Sequence, residues 1–275
     1  VLQADKAALQ TFRAAQPSSA RLQGGCLASW SDDTDLCVAW EGVQCCNNAY
    51  YVETRVCVLA LANCGGLVMT DSIGELDELM AISFDHNAAE WVPPLERLQY
   101  MRQISMQGNA IRELPASVGQ LQQLSLLQMT DNLLEDLPES LGNATALTDV
   151  YLDGNMLARL PNSIGQLGSL KNLLLSNNRL ESVPDSLGNL RKLEVLDLSG
   201  NSIATLPHAC AMDSLHDARF DDNVLQSVPD CFVGPKLEKL RVSHNRVSYL
   251  PDLGSSDALE LVDATNNSIL DLPQT

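Results

Sequence analysis

Apolar residues recur along this chain in a block that repeats every 22 or 23 positions. The block reads Leu-x-x-Leu-x-Leu-x-x-Asn with conservative exchanges, as at Leu147, Val150, Leu152 and Asn155. Its closing marker is Cys64 in the first copy and then Asn87, Asn109, Asn132, Asn155, Asn178, Asn201, Asn223, Asn245 and Asn267. Apolar residues at period two predict a short strand with one buried face, and the constant step predicts about ten coils whose strands lie side by side in a parallel sheet.

The marker asparagine has a predicted structural role. Its side-chain amide carries two donors and an acceptor, so it is able to satisfy backbone groups of the bend after the strand and to join neighbouring coils. Cys64 at the first marker is able to do this only weakly, a departure that is common in end coils.

A proline follows six residues after each marker asparagine. The set is Pro93, Pro115, Pro138, Pro161, Pro184, Pro207, Pro229, Pro251 and Pro273. Each proline fixes its own φ and holds the preceding residue extended, so every return segment begins alike. Residues 162–167 (Asn-Ser-Ile-Gly-Gln-Leu) and 185–190 (Asp-Ser-Leu-Gly-Asn-Leu) then predict one short helix or 3-10 turn per coil.

Charge and composition exclude several classes of partner. Aromatic residues make up only 4% of the chain, so the core must be built mainly from Leu, Val, Ile and Met. With 35 acidic and 17 basic residues the net charge is −18, which repels nucleic acid and anionic lipid headgroups. No apolar run approaches the roughly 18 to 20 residues that cross a bilayer.

Six of the eight cysteines crowd into the first quarter of the chain, which suits an oxidising compartment. They are Cys26, Cys37, Cys45, Cys46, Cys57 and Cys64. A zinc site is disfavoured because no Cys-x-x-Cys pair occurs. The absence of an initiator Met suggests that Val1 follows a removed signal peptide.

Cys210 and Cys231 stand apart from the others and occupy nearly the same phase of adjacent coils. A disulfide between them is favoured over two buried thiols that fill core positions. Calcium binding by Asp217, Asp221 and Asp222 is disfavoured because the spacing lacks the turn glycine of a dedicated loop. No metal site and no cofactor is predicted.

Residues 5–45 resemble the N-terminal cap of plant-type extracellular leucine-rich-repeat (LRR) proteins, a group that includes receptor-like kinases, receptor-like proteins and polygalacturonase inhibitors. The resemblance lies in Ala8, Leu9 and Phe12, in residues 27–30 (Leu-Ala-Ser-Trp) and in residues 37–45, which begin and end with Cys. It implies that Cys37 pairs with Cys45 or with Cys46, and it offers no counterpart for Cys26 and Cys57. The coils themselves look more similar to the Leu-Pro-x-Ser-Ile-Gly type of Ras-group LRR proteins, which suggests an algal or protist protein.

The resemblance implies an α/β solenoid, a right-handed LRR superhelix (horseshoe) with a parallel concave β-sheet and short helical or 3-10 turns on the convex side. We expect a disulfide-bonded cap over residues 1–55 and a solenoid of about ten repeats over residues 56–275, without a C-terminal cap. An amphipathic helix over residues 5–15 would cover the apolar edge of the first coil.

The central outward position of each strand forms a predicted ladder. Coil by coil it reads Ala60, Ser83, Ser105, Gln128, Tyr151, Leu174, Asp197, Arg219, Arg241 and Asp263. From Tyr151 onward aromatic, apolar and charged residues replace small polar ones, which is typical of a protein-recognition patch. The predicted ligand-binding residues are Tyr151, Asp153, Leu174, Asp197, Arg219, Asp221, Arg241 and His244. The alternative is an ordinary set of solvent-facing strand residues.

The pattern predicts an extracellular or cell-surface module, the ectodomain of a receptor-like protein, that binds a protein or peptide ligand on its concave face. No nucleophile, general-base or phosphate-loop motif points to an enzyme. Two alternatives stay open, namely a structural or adhesive subunit of an extracellular assembly and a secreted enzyme inhibitor. Asn143 and Asn266 lie in glycosylation sequons, which are also expected by chance in a chain of this composition.

Overall fold

The computed structural model describes residues 2–21, 25–47 and 54–270, in two compact units that divide after Leu133. Val1, the expected start of the mature chain, and Pro273 of the last repeat lie outside the described residues. None of the described helices is both long and apolar enough to span a bilayer.

Three helices open the first unit: α1 (Leu2–Ala15), α2 (Ser18–Arg21) and α3 (Leu36–Ala39). Helix α1 starts three residues earlier than expected, and the predicted apolar residues Ala8, Leu9 and Phe12 are all buried. They lie on one face because residues three and four positions apart meet on a helix. The expected amphipathic helix is therefore present.

Polar contacts fix α1 to the first coil as well. The carboxylate of Asp5 is 1% exposed and accepts hydrogen bonds from Arg55 Nε (2.9 Å) and from the backbone N–H of Val56 (2.9 Å). Arg55 also contacts Asp77, and its hydrogen bond with Asp5 raises the pKa of the guanidinium above its ordinary value. Sequence reasoning predicted only the apolar face of this helix.

Five strands make up the sheet of the first unit: β1 (Val43–Asn47), β2 (Thr54–Ala60), β3 (Ala81–Ser83), β4 (Gln103–Ser105) and β5 (Leu126–Gln128). Strands β2 to β5 pair in parallel and in register, as predicted. Strand β1 was not predicted, and it pairs with β2 in the antiparallel sense. Antiparallel neighbours need only a short connection, whereas each parallel pair requires a full return segment.

Three disulfides lie in the first unit and remove the ambiguity of the cysteine-rich region. Cys37 pairs with Cys45, so the adjacent Cys46 is left to pair with Cys57 across β1 and β2. Cys26 pairs with Cys64, the residue that replaces the first marker asparagine. The cross-link at this position takes the place of the amide hydrogen bonds made by the later markers.

Six parallel, in-register strands form the sheet of the second unit: β6 (Asp149–Tyr151), β7 (Asn172–Leu174), β8 (Val195–Asp197), β9 (Asp217–Arg219), β10 (Lys239–Arg241) and β11 (Leu261–Asp263). The central residues of β6 to β10 are fully buried, and so are the leucines that precede the first three strands, Leu147, Leu170 and Leu193. The predicted repeat structure, with parallel strands and buried leucines, is therefore confirmed in this unit.

The return segments contain 3-10 helices rather than α-helices. Asp71–Glu75 and Ala116–Gln120 lie in the first unit, and Glu139–Asn143, Asn162–Gln166, Asp185–Asn189, Asp230–Phe232 and Leu253–Ser255 lie in the second. The repeat proline directly precedes several of them, with φ of −66° at Pro161 and −69° at Pro184. The prediction of one such turn per coil is wrong for two described coils, between Glu75 and Ala116 and between Asn189 and Asp230. In the second of these, Cys210 bonds to Cys231 of the next coil, which confirms the predicted disulfide.

Candidate functional site

The candidate site is the outward surface of the second sheet, named here the sheet face. It consists of the first and third residues of strands β6 to β11 together with the second residue after each strand. The third positions form one continuous row because the strands pair in register: Tyr151, Leu174, Asp197, Arg219, Arg241 and Asp263. The structure thus places five of the eight predicted binding residues in this row.

The corresponding row of the first unit has a different character. It consists of Ala60, Ser83, Ser105 and Gln128, which are small or uncharged. Such a row offers hydrogen bonds but neither aromatic surface nor charge, so the residues suited to strong recognition belong to the second unit.

An ion-pair chain crosses the middle of the sheet face. Arg219 lies 2.8 Å from a carboxylate oxygen of Asp217 and 3.4 Å from one of Asp197, and Arg241 lies 3.2 Å from the other oxygen of Asp217. The hydrogen bond with Asp217 raises the pKa of Arg219. About a third of each arginine side chain is exposed, at 36% and 31%. Both guanidinium groups are therefore held in place while part of each surface stays open to a partner.

Tyr151 is fixed by a carboxylate on its own strand. Its hydroxyl donates to Asp149 Oδ1 (3.1 Å), which also accepts from Asn172 Nδ2 (2.6 Å), while Asp149 Oδ2 accepts from Thr148 Oγ1 (2.7 Å). Burial opposes ionisation of Asp149, but these hydrogen bonds together hold its pKa below the ordinary value. Burial and the neighbouring Asp149 charge raise the pKa of Tyr151, so the phenol stays protonated. The ring is thus a positioned, half-buried aromatic surface.

Two of the predicted binding residues bond to the next coil instead of pointing freely outward. Asp153 Oδ1 accepts from the backbone N–H (2.9 Å) and hydroxyl (2.8 Å) of Ser176. Asp221 Oδ1 makes the same pair of bonds to Ser243, both at 2.8 Å. Each carboxylate therefore joins two coils. These bonds could have been predicted from the sequence, because each Asp is followed by a Ser at the equivalent position of the next coil.

His244 lies at the corner after β10, where the backbone has φ of 51°. This left-handed position precedes every marker of the second unit, and it is filled by Gly154, Asn177, Gly200, Asp222, His244 and Asn266. The imidazole is 56% exposed, with Nδ1 3.8 Å from Asp222 and Nε2 2.7 Å from the Asn266 amide. Its placement beside the row keeps it within the predicted patch.

The two glycosylation candidates lie in different surroundings. Asn143 is exposed at the last residue of the 3-10 helix Glu139–Asn143, on the return segment. Asn266 is exposed at the left-handed corner and contacts His244. Modification of either one stays a prediction. Within the described ranges, no group of three or more His, Cys, Asp and Glu side chains is arranged to hold a metal ion.

Two families match parts of this chain. Residues 162–216 match the leucine rich repeat family, and residues 2–46 match the leucine rich repeat N-terminal domain family. No curated relative matches the sequence.

Several solved structures resemble the chain. A plant ice-binding protein is 22% identical with a TM-score of 0.67, over 99% of this chain and 96% of that one. The structure of PEPR1-AtPEP1 is 22% identical with a TM-score of 0.77, over 98% of this chain and 46% of the other. The ectodomain of the Arabidopsis thaliana membrane receptor kinase GASSHO1/SCHENGEN3, in complex with CASPARIAN STRIP INTEGRITY FACTOR 2, is 21% identical with a TM-score of 0.64, over 88% and 39%.

The chain spans less than half the length of the latter two proteins, and at these identities the likeness shows a shared fold. That fold is common to proteins with different functions, so function has to be argued from the site. The stacked coils and both matched families agree on the fold: the chain is a leucine-rich-repeat solenoid whose residues 2–46 match a leucine-rich-repeat N-terminal domain.

Proposed function

We propose that this chain is an extracellular recognition module that binds a protein or peptide ligand on the sheet face, between Tyr151 and Arg241. The observation that carries the proposal is the in-register row of Tyr151, Leu174, Asp197, Arg219 and Arg241. Tyrosine and arginine are the side chains most often found at energetically dominant contacts, and here neighbouring carboxylates already hold them in place. Little side-chain entropy would then be lost on binding.

Four disulfides support an extracellular location, because such bonds persist in oxidising compartments and are rare in the cytosol. The structural likeness to a receptor-kinase ectodomain solved with a bound partner is consistent with a receptor-like role. We propose no catalytic step. The two arginines of the sheet face pair with Asp197 and Asp217, and the other carboxylates of this face accept hydrogen bonds from neutral groups.

The test is selection of ligands on the folded chain. A phage-displayed library of random peptides is panned against it, and the affinity of the selected peptides is measured by fluorescence anisotropy. We expect the combined variant Tyr151→Ala, Asp197→Asn, Arg219→Gln and Arg241→Gln to weaken binding by at least about tenfold, since each removes a central contact. Circular dichroism checks that the variant is folded.

A matched variant on the return segments controls for general surface effects. It combines Asn162→Ala, Asp185→Asn, Arg191→Gln and Lys192→Gln, all at exposed positions away from the sheet face. The proposal is wrong if the selected peptides bind both variants equally well, or if panning yields no peptide that binds the folded chain.

A further inference from the structure

Charge is distributed unevenly along the sheet face. Its outward positions on β6 to β8 carry three carboxylates, Asp149, Asp153 and Asp197, and no cation. On β9 to β11 three carboxylates, Asp217, Asp221 and Asp263, accompany three cations, Arg219, Lys239 and Arg241. The half of the face that contains Tyr151 is therefore the electronegative half.

The surroundings of this half leave its charge largely uncompensated. Lys171 lies on the flank just before β7 and favours the ionised form of Asp149, but its ammonium group is 2.9 Å from Glu194, which cancels its charge locally. Arg219 contacts Asp197 at the edge of this half, at the longest distance of its ion pairs, 3.4 Å. Within the part of the chain that the structure describes, the carboxylate of Asp149 bonds only to neutral donors, namely Tyr151, Asn172 and Thr148.

Apolar surface lies directly beside that carboxylate. Tyr151 and Leu174 are partners in register on adjacent strands, and Val195 follows at the first position of β8; all three are half-exposed. Lysine and arginine side chains join an apolar stem to a cationic head, so they match a ring and an aliphatic side chain next to a carboxylate. A cation over a tyrosine face adds a further attraction.

Resting on the proposed function, we propose that the ligand is an extended basic peptide whose lysine or arginine stem lies across Tyr151 and Leu174, with its charged head paired with Asp149. The balanced half, β9 to β11, then contacts polar or mixed-charge residues of the same peptide. The proposal names a basic ligand because the outward positions of the sheet face carry six carboxylates and three cations.

The experiment uses the peptides selected on the folded chain. We expect their sequences to be enriched in Lys and Arg relative to the unselected library. Asp149→Asn should weaken binding about fivefold to tenfold, as loss of a partly solvated charge-assisted hydrogen bond predicts. Raising the salt concentration from 0.05 to 0.5 M should weaken binding to the wild type more than binding to this variant, through screening.

Asp185→Asn is the matched control, because it removes the same charge from an exposed return segment and should leave affinity unchanged. Tyr151→Phe retains the ring and removes the hydroxyl that bonds to Asp149, so it should lose less affinity than Tyr151→Ala.

The outcomes separate the two proposals. If peptides bind the sheet face but are acidic or neutral, or if Asp149→Asn binds like Asp185→Asn, the basic-ligand proposal is overturned while the recognition surface stands. If the selected peptides bind the combined sheet-face variant as well as the wild type, both proposals fail.

Discussion

At the scale of single residues, the side chains of the marker asparagines bond to the backbone of their own coil and of the neighbouring coils. Asn178 Nδ2 donates to the carbonyl oxygens of Leu152 (2.9 Å) and Leu175 (3.0 Å), and its Oδ1 accepts from the N–H of Leu157 (3.0 Å). These bonds confirm the predicted role of the marker asparagine, since one amide satisfies its own bend and joins it to the preceding coil. On the sheet face, Asp153 and Asp221 likewise join two coils, because they accept hydrogen bonds from Ser176 and Ser243 of the following coil.

The marker asparagine should therefore be costly to remove. Asn178→Ala leaves buried backbone groups unsatisfied, so we expect a loss of about 2–4 kcal/mol in the free energy of unfolding, measured by urea denaturation. Asn162→Ala, at an exposed position of the adjacent coil, should cost less than about 0.5 kcal/mol. Equal losses for the two variants would contradict the assigned role.

Asp153 should give a distinctive dependence on pH. Burial, reinforced by the charge of Asp197, raises its pKa above the ordinary value despite the hydrogen bonds from Ser176. An acid with a raised pKa in the folded state destabilises the fold once pH exceeds the unfolded value of about 3.9. Asp153→Asn keeps an acceptor for Ser176, so its stability relative to the wild type should improve as pH rises from 4 to 7.

Asp263→Asn should change stability with pH in the opposite direction to Asp153→Asn. Hydrogen bonds from the N–H and hydroxyl of Thr265 hold the pKa of Asp263 below its ordinary value. Its ionised form therefore stabilises the fold above the unfolded pKa, and this contribution is lost as pH falls. Thermal denaturation followed at several pH values should show opposite trends for the two variants, and parallel trends would refute the assignment.

Among the elements, the five-residue 3-10 helices of neighbouring coils stack closely because glycine occupies their fourth position. A Cβ on Gly165 would lie 2.2 Å from the carbonyl oxygen of Ser186, and a Cβ on Gly142 would lie 2.4 Å from that of Ser163. A Cβ on Gly168, which lies just after the helix Asn162–Gln166, would have no neighbour closer than 4.0 Å. The first two glycines therefore allow adjacent return segments to touch.

This contrast predicts different effects of two Gly→Ala changes only three residues apart. Gly165→Ala forces neighbouring backbones apart, and we expect it to lower the free energy of unfolding by about 2 kcal/mol or more. Gly168→Ala should be neutral or slightly stabilising, because it mainly reduces the freedom of the unfolded chain. Calorimetry on both variants checks this, and a destabilised Gly168→Ala would show that glycine is needed there for another reason.

Helix α1 depends on a buried charge as well as on its apolar face. Asp5→Ala leaves Arg55 without its main partner, and breaking a buried pair in this way costs about 3–5 kcal/mol. The exposed Asp33→Ala removes the same type of side chain and should have little effect. Hydrogen exchange in residues 2–21 should increase in the first variant alone; unchanged protection there would mean that apolar packing suffices.

At the scale of the whole molecule, the Cys210–Cys231 disulfide stabilises the fold because it reduces the conformational entropy of the unfolded chain. Cys210 and Cys231 are 21 residues apart, in the stretch where the described coil has no 3-10 helix. Replacing both by Ala should lower the free energy of unfolding by about 3 kcal/mol, the loop-entropy value for a closed loop of this size. Denaturation of the oxidised wild type and the double variant measures the difference, and identical midpoints would contradict it.

Much of the candidate site could be predicted from the sequence. The row from Tyr151 to Arg241 followed from counting positions, because the strand phase repeats with the coil. The ion-pair chain through Asp217 did not follow, since side chains 22 and 24 residues apart meet only when three strands are in register. Nor did the sequence show that Asp149 would accept its hydrogen bonds from the neutral groups of Tyr151, Asn172 and Thr148, since these contacts depend on side-chain positions in the folded sheet.

The sequence alone determined the coil, because Leu147, Asn155 and Pro161 each impose a local requirement, namely burial, amide bonding or a fixed φ, that recurs with every repeat. Only the tertiary structure decided which cysteines pair, that β1 runs antiparallel to β2, and that Asp5 is buried against Arg55. Each of these features involves a residue that precedes the first coil, where no repeat is present to fix the relative positions of residues. There the partners are chosen by three-dimensional proximity rather than by a periodic pattern.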